Sequence, residues 1–385
     1  MDILYIVNGN GLSSNQGGSI VRTFEVAKRV QGAGLRVGLL ATAGGIKAAS
    51  DRGFVADFTV ETPVFPLGPR RETGPLNRAV NYLWTSATAS LTGSGIQARV
   101  TVTDSDYPCD VLPAAAHSRL RGSRWVACVH HRLMRARGEA LRNASVIWQG
   151  LSWRLIARNA SRILVYDSPM GASVGRELLR LGAAEESLRR MTNGVDFHQI
   201  LKTPPAEDRW HGLFVGGLRP DKGLEDLPRI WAEVVRSLPS AKLAVAGGAA
   251  PRHARAFDEA CKRAGVGDRV ARLGNLPPAT VYGLMKNSRC VLAATRAEGW
   301  GTATCEALAA GTPVVAFDLP TTRHVFGDQV DLVPCFDHRA FAERVLKHLR
   351  GRPSGKDAKR RSEFARSFDW DEVARRDIEV LEGVL

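Results

Sequence analysis

The segment from Cys290 to Phe317, CVLAATRAEGWGTATCEALAAGTPVVAF, constrains the fold of this chain more than any other. Its apolar ends, Cys290–Ala294 and Val314–Phe317, have the length and composition of buried strands. Between them, a glycine-rich loop leads into Thr302–Ala310, a run of helix-forming residues that Gly311 ends. The segment therefore predicts a strand–loop–helix–strand unit, which is the building block of α/β folds.

The loop before this helix is suited to binding an anion, because backbone amides are unpaired and the helix dipole is positive at a helix N-terminus. Two carboxylates stand beside it, Glu298 in the loop and Glu306 in the helix. Carboxylates accept hydrogen bonds from hydroxyl groups. The arrangement predicts a ligand with both phosphate and hydroxyl groups, such as a nucleotide sugar.

The start of the chain predicts a second α/β unit. Asp2–Asn8 is an apolar strand, the loop Gly9–Gly18 follows, and Ser19–Gly32 has apolar side chains at helical spacing before the strand Leu35–Thr42. The loop lacks the glycine spacing of a dinucleotide-binding motif, and the chain has no P-loop pattern. We interpret the N-terminal residues as a strand and not as a signal peptide.

The formal net charge of +14 is unevenly distributed, since Arg119–Arg162 contains ten arginines and the single acid Glu139. This excess predicts an anionic partner. One interpretation is that Trp148, Trp153 and the arginines bind an anionic membrane surface or a lipid-linked acceptor. The other is a solvated basic face on a core helix. We expect no nucleic-acid partner, because no recognition motif accompanies the charge.

Other patterns bound the chemistry. The six scattered cysteines predict reduced thiols, and no apolar run approaches the ~20 residues of a membrane-spanning helix. We predict a cytoplasmic protein, which the membrane-binding interpretation of the arginines would place at the inner face of the membrane. Asp104-Ser-Asp106 is interpreted as a loop at a strand end, and we expect neither a metal nor a cofactor.

The acidic segment EGWGTATCEALAAGTPVVA resembles the motif of glycosyltransferase family 4 (glycosyl transferases group 1), retaining enzymes with the GT-B fold. Similar family segments follow the expected order at Asn193–Asp196 (NGVD), Val215–Gly223 (VGGLRPDKG) and Phe368–Arg376 (FDWDEVARR). The resemblance implies an α/β chain of two Rossmann-like domains facing an inter-domain cleft.

The resemblance also implies a domain plan. Residues 1–197 are predicted as the acceptor-binding domain and residues 198–367 as the nucleotide-sugar-binding domain. Residues 368–385 are predicted as a helix that crosses back to the first domain. Independently of the resemblance, the basic polar composition of Arg350–Arg361 is interpreted as a linker.

By resemblance, three residues are predicted to be catalytic. Lys222 faces the leaving phosphates, Glu298 lies near the donor sugar, and His130 contacts the donor sugar or the transfer site. A fixed cation beside the leaving group stabilises charge that grows in the transition state. The residues predicted to bind the donor are Gly17, Gly18, Arg219, Lys222, Asn275, Leu276, Glu298, Gly299, Trp300, Gly301, Thr302 and Glu306.

The chain departs from the family at one position. Gly217 stands where the family usually has an arginine, and Arg219 is close enough in sequence to serve the same phosphates. The alternative is that Arg219 is an ordinary surface charge.

The resemblance implies transfer of a sugar from a UDP- or GDP-sugar to an acceptor hydroxyl, without a metal. The expected pathways are cell-envelope, exopolysaccharide or lipid-linked glycan synthesis, so the acceptor is a saccharide, a lipid-linked saccharide or a small molecule. Two alternatives stay open: a transferase that tailors a small natural product, and a nucleotide-sugar-binding relative that has lost transfer.

Overall fold

The computed structural model describes residues 1–9, 12, 18–65, 75–130, 132, 140–351 and 354–385, with the backbone alone at 75–79 and 140–144. The chain divides into two compact units. The first comprises Met1–Asn193 and Asp371–Leu385, and the second comprises Gly194–Trp370. Each unit contains one parallel sheet with helices, which confirms the predicted pair of Rossmann-like domains.

The first unit has a seven-stranded sheet in the order β3-β2-β1-β4-β5-β6-β7. The strands are β1 (Ile3–Val7), β2 (Val37–Ala41), β3 (Phe58–Glu61), β4 (Val100–Thr103), β5 (Arg124–Val129), β6 (Arg162–Tyr166) and β7 (Leu188–Met191). The helices are α1 (Gly18–Gly32), α2 (Ala43–Ser50), α3 (Pro75–Gly93), α4 (Pro108–Arg121), α5 (Ala140–Asn159) and α6 (Pro169–Arg180). Strands β1 and β2 have no charged side chain and are buried along their whole length, because parallel strands are covered on both faces.

The second unit has a six-stranded sheet in the order β10-β9-β8-β11-β12-β13. The strands are β8 (Trp210–Val215), β9 (Leu243–Ala246), β10 (Val270–Gly274), β11 (Ser288–Ala293), β12 (Val314–Phe317) and β13 (Asp331–Val333). The helices are α7 (Phe197–Lys202), α8 (Asp226–Ser237), α9 (Pro251–Arg263), α10 (Pro278–Asn287), α11 (Thr302–Ala309), α12 (Pro320–Phe326), α13 (His338–Arg350) and α14 (Gly355–Arg366). The direction of winding reverses between β8 and β11, and ligands bind beside such a switch point in α/β sheets.

The last helix, α15 (Trp370–Glu382), belongs to the first unit from Asp371 onward. A buried ion pair fixes it there: both carboxylate oxygens of Asp377 lie 2.7 Å from Nη2 of Arg22 on α1. Nε of Arg22 also donates to the carbonyl oxygen of Thr192 at 2.8 Å. The C-terminal residues are therefore part of this unit's folded core.

The sequence interpretation of residues 350–361 as a polar linker is wrong, because α14 covers most of them. Ser354 caps the helix by accepting a hydrogen bond from the Asp357 amide at 3.2 Å. Ala358 packs against Gly311, and Arg361 Nε donates to the Gly311 carbonyl oxygen at 3.0 Å. These long-range contacts with the end of α11 hold a helix whose own sequence is strongly polar.

None of the helices in the described residues is both long and apolar enough to cross a membrane.

Candidate functional site

The strands of the second sheet end in glycine-rich loops that bond directly to one another. The amide of Gly216 after β8 donates to Ala246 O at 2.9 Å, and Gly247 after β9 donates to Gly274 O at 2.7 Å. A Cβ at Gly247 would lie 2.1 Å from Gly216 O, so only glycine permits this approach. The result is a floor of partly exposed backbone at the carboxyl edge of the sheet.

The loop after β8 also presses on the end of β11. Gly223 has a φ of 82°, and a Cβ there would lie 2.2 Å from Ala294 O. The carbonyl oxygen of Asp221 accepts hydrogen bonds from Thr295 Oγ1 at 3.0 Å and from the Arg296 amide at 2.9 Å. These contacts fix the residue between Asp221 and Gly223, which is Lys222.

Lys222 and Glu298 meet at the switch point. Nζ of Lys222 lies 2.9 Å from Oε2 of Glu298, and the two side chains are 24% and 20% exposed. Glu298 Oε1 also accepts from the Gly299 amide at 3.1 Å. The fold thus brings together two predicted catalytic residues 76 positions apart. The lysine is half-buried and charge-compensated, so a phosphate that enters the site could replace Glu298 as its partner.

Arg219 is directed to a neighbour on its own loop. Its Nε and Nη2 bind the two carboxylate oxygens of Asp221 at 3.0 and 2.8 Å. This hydrogen bonding lowers the pKa of Asp221, although partial burial opposes it. Arg219 therefore stands beside Lys222 with its guanidinium already engaged.

Helix α11 begins next to this pair. Gly301 precedes it with a φ of 107°, and Thr302 is its first residue. Trp300 is only 3% exposed, and its ring packs edge-on against Phe326 at 5.8 Å and Phe368 at 5.2 Å. The tryptophan side chain is an anchor for the loop, and the loop backbone remains the part that can meet a ligand.

Glu306 lies at the start of the second turn of α11. Burial raises the pKa of Glu306 to about 7, and the negative charge of Asp196 adds to the effect. Tyr282 Oη donates to Glu306 Oε1 at 3.5 Å. A carboxylate kept near its titration point by enclosure gains from any ligand hydroxyl that donates to it.

Asn275 and Leu276 follow β10 at the same edge of the sheet. The Asn275 side chain covers Gly248, where a Cβ would lie 2.8 Å from Asn275 Oδ1. Asn275 is exposed and Leu276 is partly buried. Both are therefore positioned beside the glycine floor.

The remaining predicted residues belong to the first unit. His130 directly follows β5, is buried, and its Nε2 lies 2.6 Å from the carbonyl oxygen of Asp104. Its ring centroid is 5.6 Å from that of Tyr166. Gly18 is the first residue of α1, while Gly17 lies outside the described residues.

Asp104 and Asp106 lie directly after β4, as the interpretation of a strand-end loop requires. Asp106 Oδ2 accepts hydrogen bonds from Gln149 Nε2 at 2.8 Å and from Trp153 Nε1 at 2.5 Å. Trp153 is only 3% exposed. Its suggested place on a membrane-binding surface is wrong, because this bond and the core of the first unit hold it inside.

Sequence reasoning missed three residues of the site: Asp221, Gly223 and Tyr282. The first two lie within the segment VGGLRPDKG, and the glycine after the lysine was the available signal. No local pattern marks Tyr282, which meets Glu306 through the packing of α10 on α11.

Known proteins resemble this chain in sequence. Residues 198–368 match the family model of glycosyl transferases group 1. The D-inositol 3-phosphate glycosyltransferase of Segniliparus rotundus is 34% identical over 122 residues, 30% of this chain and 26% of that protein. The phosphatidyl-myo-inositol mannosyltransferase of Mycobacterium leprae is 29% identical over 182 residues, 45% of this chain and 46% of that protein. The matches thus span less than half of these relatives.

Solved structures match over the whole chain. Anabaena Alr3699/HepE in complex with UDP-glucose has a TM-score of 0.76 at 16% identity, with 100% of both chains covered. Sucrose-phosphate synthase from Thermosynechococcus elongatus has a TM-score of 0.75 at 17% identity, with 100% of this chain and 99% of that chain covered. The chain has the GT-B fold, and the match to the glycosyl transferases group 1 model lies in its second half.

Proposed function

We propose that this chain transfers a sugar from a UDP- or GDP-sugar to an acceptor hydroxyl, with retention of configuration and without a metal. The observation that carries the proposal is the Lys222–Glu298 pair, 2.9 Å apart, at the switch point of the second sheet. A half-buried cation beside a glycine floor and a helix N-terminus is suited to a pyrophosphate.

The proposed reaction uses each group of the site. The bond between the sugar carbon and the phosphate oxygen breaks, and the acceptor oxygen bonds to the same carbon from the same face. The acceptor proton passes to the leaving phosphate oxygen. Lys222 stabilises the charge on that phosphate, and Glu298, released from the lysine, accepts hydrogen bonds from the donor sugar.

The nucleoside end of the donor is assigned to the adjacent residues. The amides after Gly301 bind the pyrophosphate, Glu306 accepts hydrogen bonds from the ribose hydroxyls, and Asn275 and Leu276 lie beside the base. The family resemblance assigns His130, Gly17 and Gly18 to the same reaction, and these assignments remain predictions.

The relatives support a nucleotide-sugar donor and an acceptor that carries hydroxyl groups. Their names include a glycosyltransferase for D-inositol 3-phosphate and a mannosyltransferase for phosphatidyl-myo-inositol. One structural neighbour was solved with UDP and glucose. The proposal therefore includes an acceptor in envelope, exopolysaccharide or lipid-linked glycan synthesis, at the inner face of the membrane.

The first experiment is a thermal-shift screen of the full chain against UDP-, GDP-, ADP- and dTDP-sugars, since a ligand of the folded state raises its stability. The best donor is then incubated with acceptors, and the anomeric configuration of the product is measured by NMR. We expect Lys222→Ala to reduce turnover roughly 100- to 1,000-fold. The matched control is Lys262→Ala, an exposed lysine on α9.

Turnover by Lys222→Ala at the rate of Lys262→Ala would refute the proposed role of Lys222. Inverted product would refute retention. Donor binding with no transfer and no donor hydrolysis would instead support the alternative of a nucleotide-sugar-binding protein that has lost transfer. That alternative is based on Gly217, which stands where the family usually has an arginine.

A further inference from the structure

Helices α3 and α5 of the first unit carry exposed apolar side chains, and both helices pack against α4. Thirteen large hydrophobic side chains are exposed in the described residues. Six of them lie on these two helices: Leu83, Trp84, Leu91, Ile147, Trp148 and Leu151. Exposed apolar residues that are scattered singly over a surface are normal, whereas a group of them on neighbouring helices marks an interaction site.

Helix α5 shows the pattern most clearly. Ile147, Trp148 and Leu151 are 59%, 43% and 44% exposed, on the side opposite its buried residues. Arg154 and Arg158 continue the same stripe toward the C-terminal end of the helix, and both are exposed. A helix that only covers a core has a polar outer face, so this outer face needs another explanation.

Helix α3 adds a second stripe. Leu83, Trp84 and Leu91 are 53%, 42% and 74% exposed. The Trp84 ring is held edge-on by Phe65 at 5.3 Å, so it is fixed while half of it faces solvent. Trp84 and Trp148 are the exposed tryptophans in the described part of the chain.

The arginines surround the ends of these helices. Arg121 Nε donates to Ser94 O, just after α3, at 2.6 Å, and Arg119 Nη2 donates to Asn159 Oδ1 at the end of α5 at 3.2 Å. The C-terminal ends of α3, α4 and α5 therefore lie together, with exposed guanidinium groups around them.

No exposed acid balances this charge within the described residues from 75 to 162. Asp104, Asp106 and Asp110 are all buried, and the only other acid in that range, Glu139, lies outside the described residues. The surface formed by α3, α4 and α5, which we call the basic-apolar face, is thus of one charge sign.

We propose that the basic-apolar face binds an anionic lipid surface. Tryptophan rings and aliphatic side chains enter the headgroup region, and arginines bind the lipid phosphates. A second copy of the chain is disfavoured as the occupant, because a two-fold interface would place this one-sign surface against itself. This inference assigns a surface outside the candidate site and is independent of glycosyl transfer.

The test is sedimentation of the full chain with vesicles, either phosphatidylcholine alone or an equal mixture with phosphatidylglycerol, at low salt. Arg154→Gln/Arg158→Gln is expected to weaken partitioning to the anionic vesicles roughly thirtyfold, since each arginine contributes about fivefold. Trp148→Ser/Leu151→Ser is expected to weaken it by a similar factor.

Matched controls come from the second unit. Arg252→Gln/Arg255→Gln removes two exposed arginines of α9, and Leu201→Ser removes an exposed leucine of α7. Both are expected to bind as the wild type does. Far-UV circular dichroism confirms that each variant is folded.

Three results would overturn the proposal. The first is equal binding by the α5 variants and their controls, and the second is equal binding to neutral and anionic vesicles. The third is a dimer in solution that the Trp148→Ser/Leu151→Ser variant abolishes, because the face would then be a contact between copies. Partitioning is measured without donor or acceptor, so loss of transferase activity would not affect the outcome.

Discussion

Glu306 is expected to make donor binding depend on pH. Burial and the charge of Asp196 raise the pKa of Glu306 to about 7 in the free protein, so at about pH 7 half of the molecules have a neutral Glu306 carboxyl group. Ribose hydroxyls that donate to Glu306 favour the carboxylate and lower that pKa on binding. Acidification must therefore weaken binding, because the proton has to leave before the hydroxyls can donate to both oxygens.

The magnitude follows from the fraction of carboxylate in the free protein. With a pKa of about 7, that fraction falls from about 0.9 at about pH 8 to about 0.03 at about pH 5.5. Affinity for the donor should fall about thirtyfold over this range, or about 2 kcal/mol.

Isothermal titration with the sugar nucleotide measures this dependence. The intact donor is required, since a free terminal phosphate titrates at about pH 6 and would add a pH dependence of the ligand itself. Glu306→Gln cannot titrate, so its profile should be flat and its affinity at the alkaline end should be reduced. A wild-type profile that stays flat, or the same slope in Glu306→Gln, would show that Glu306 does not control the pH dependence of donor binding.

Three further predictions concern stability and loop geometry. Because the pKa of Glu306 is raised in the folded protein, ionisation of Glu306 lowers the free energy of unfolding as pH rises from about 4.5 to about 7. Glu306→Gln should therefore be more stable than wild type by up to about 3 kcal/mol at about pH 8, and no more stable below about pH 4.5. Urea denaturation that shows no gain at the higher pH would contradict this prediction. Asp377→Asn should lower the free energy of unfolding by about 3 kcal/mol, since it leaves the buried charge of Arg22 uncompensated, and an unchanged urea midpoint would contradict this. Gly223→Ala should destabilise the chain by about 2–3 kcal/mol and weaken donor binding about tenfold, because of both its φ of 82° and its contact with a carbonyl oxygen. Its control is Gly265→Ala, because Gly265 has a φ of 70° and open space around a Cβ. This control should lower the free energy of unfolding by about 1 kcal/mol and leave donor binding unchanged. Equal effects of the two alanines would show that the close approach of Gly223 to Ala294 O does not matter.

The sequence was most informative where a local pattern and a backbone requirement coincide. In Cys290–Phe317, apolar runs, a glycine loop and a helix stop follow one another closely, so the strand–loop–helix–strand unit was predictable with its bounds nearly right. The pairing of Lys222 with Glu298 was not visible in either segment alone. The order of family motifs predicted only that each residue is catalytic, and the adjacency of β8 and β11 places the two side chains in contact.

Interactions between distant segments limited the rest. The polar sequence of α14 suggested a linker, since its contact with Gly311 comes from a residue 47 positions away and leaves no local signal. Trp153 and Trp148 stand five residues apart on α5, and composition could not say that one is buried on Asp106 while the other is exposed. The bidentate pairing of Arg219 with Asp221 likewise depends on side-chain geometry.

A crystal structure of the chain with its best UDP- or GDP-sugar would show whether the carboxyl edge of the second sheet holds a nucleotide sugar. We expect a pyrophosphate oxygen within hydrogen-bonding distance of Lys222 Nζ, with the Lys222–Glu298 contact broken. We also expect ribose hydroxyls on the Glu306 carboxylate. A donor bound elsewhere, or one bound here with the Lys222–Glu298 pair intact and the phosphates turned away, would exclude the proposed site.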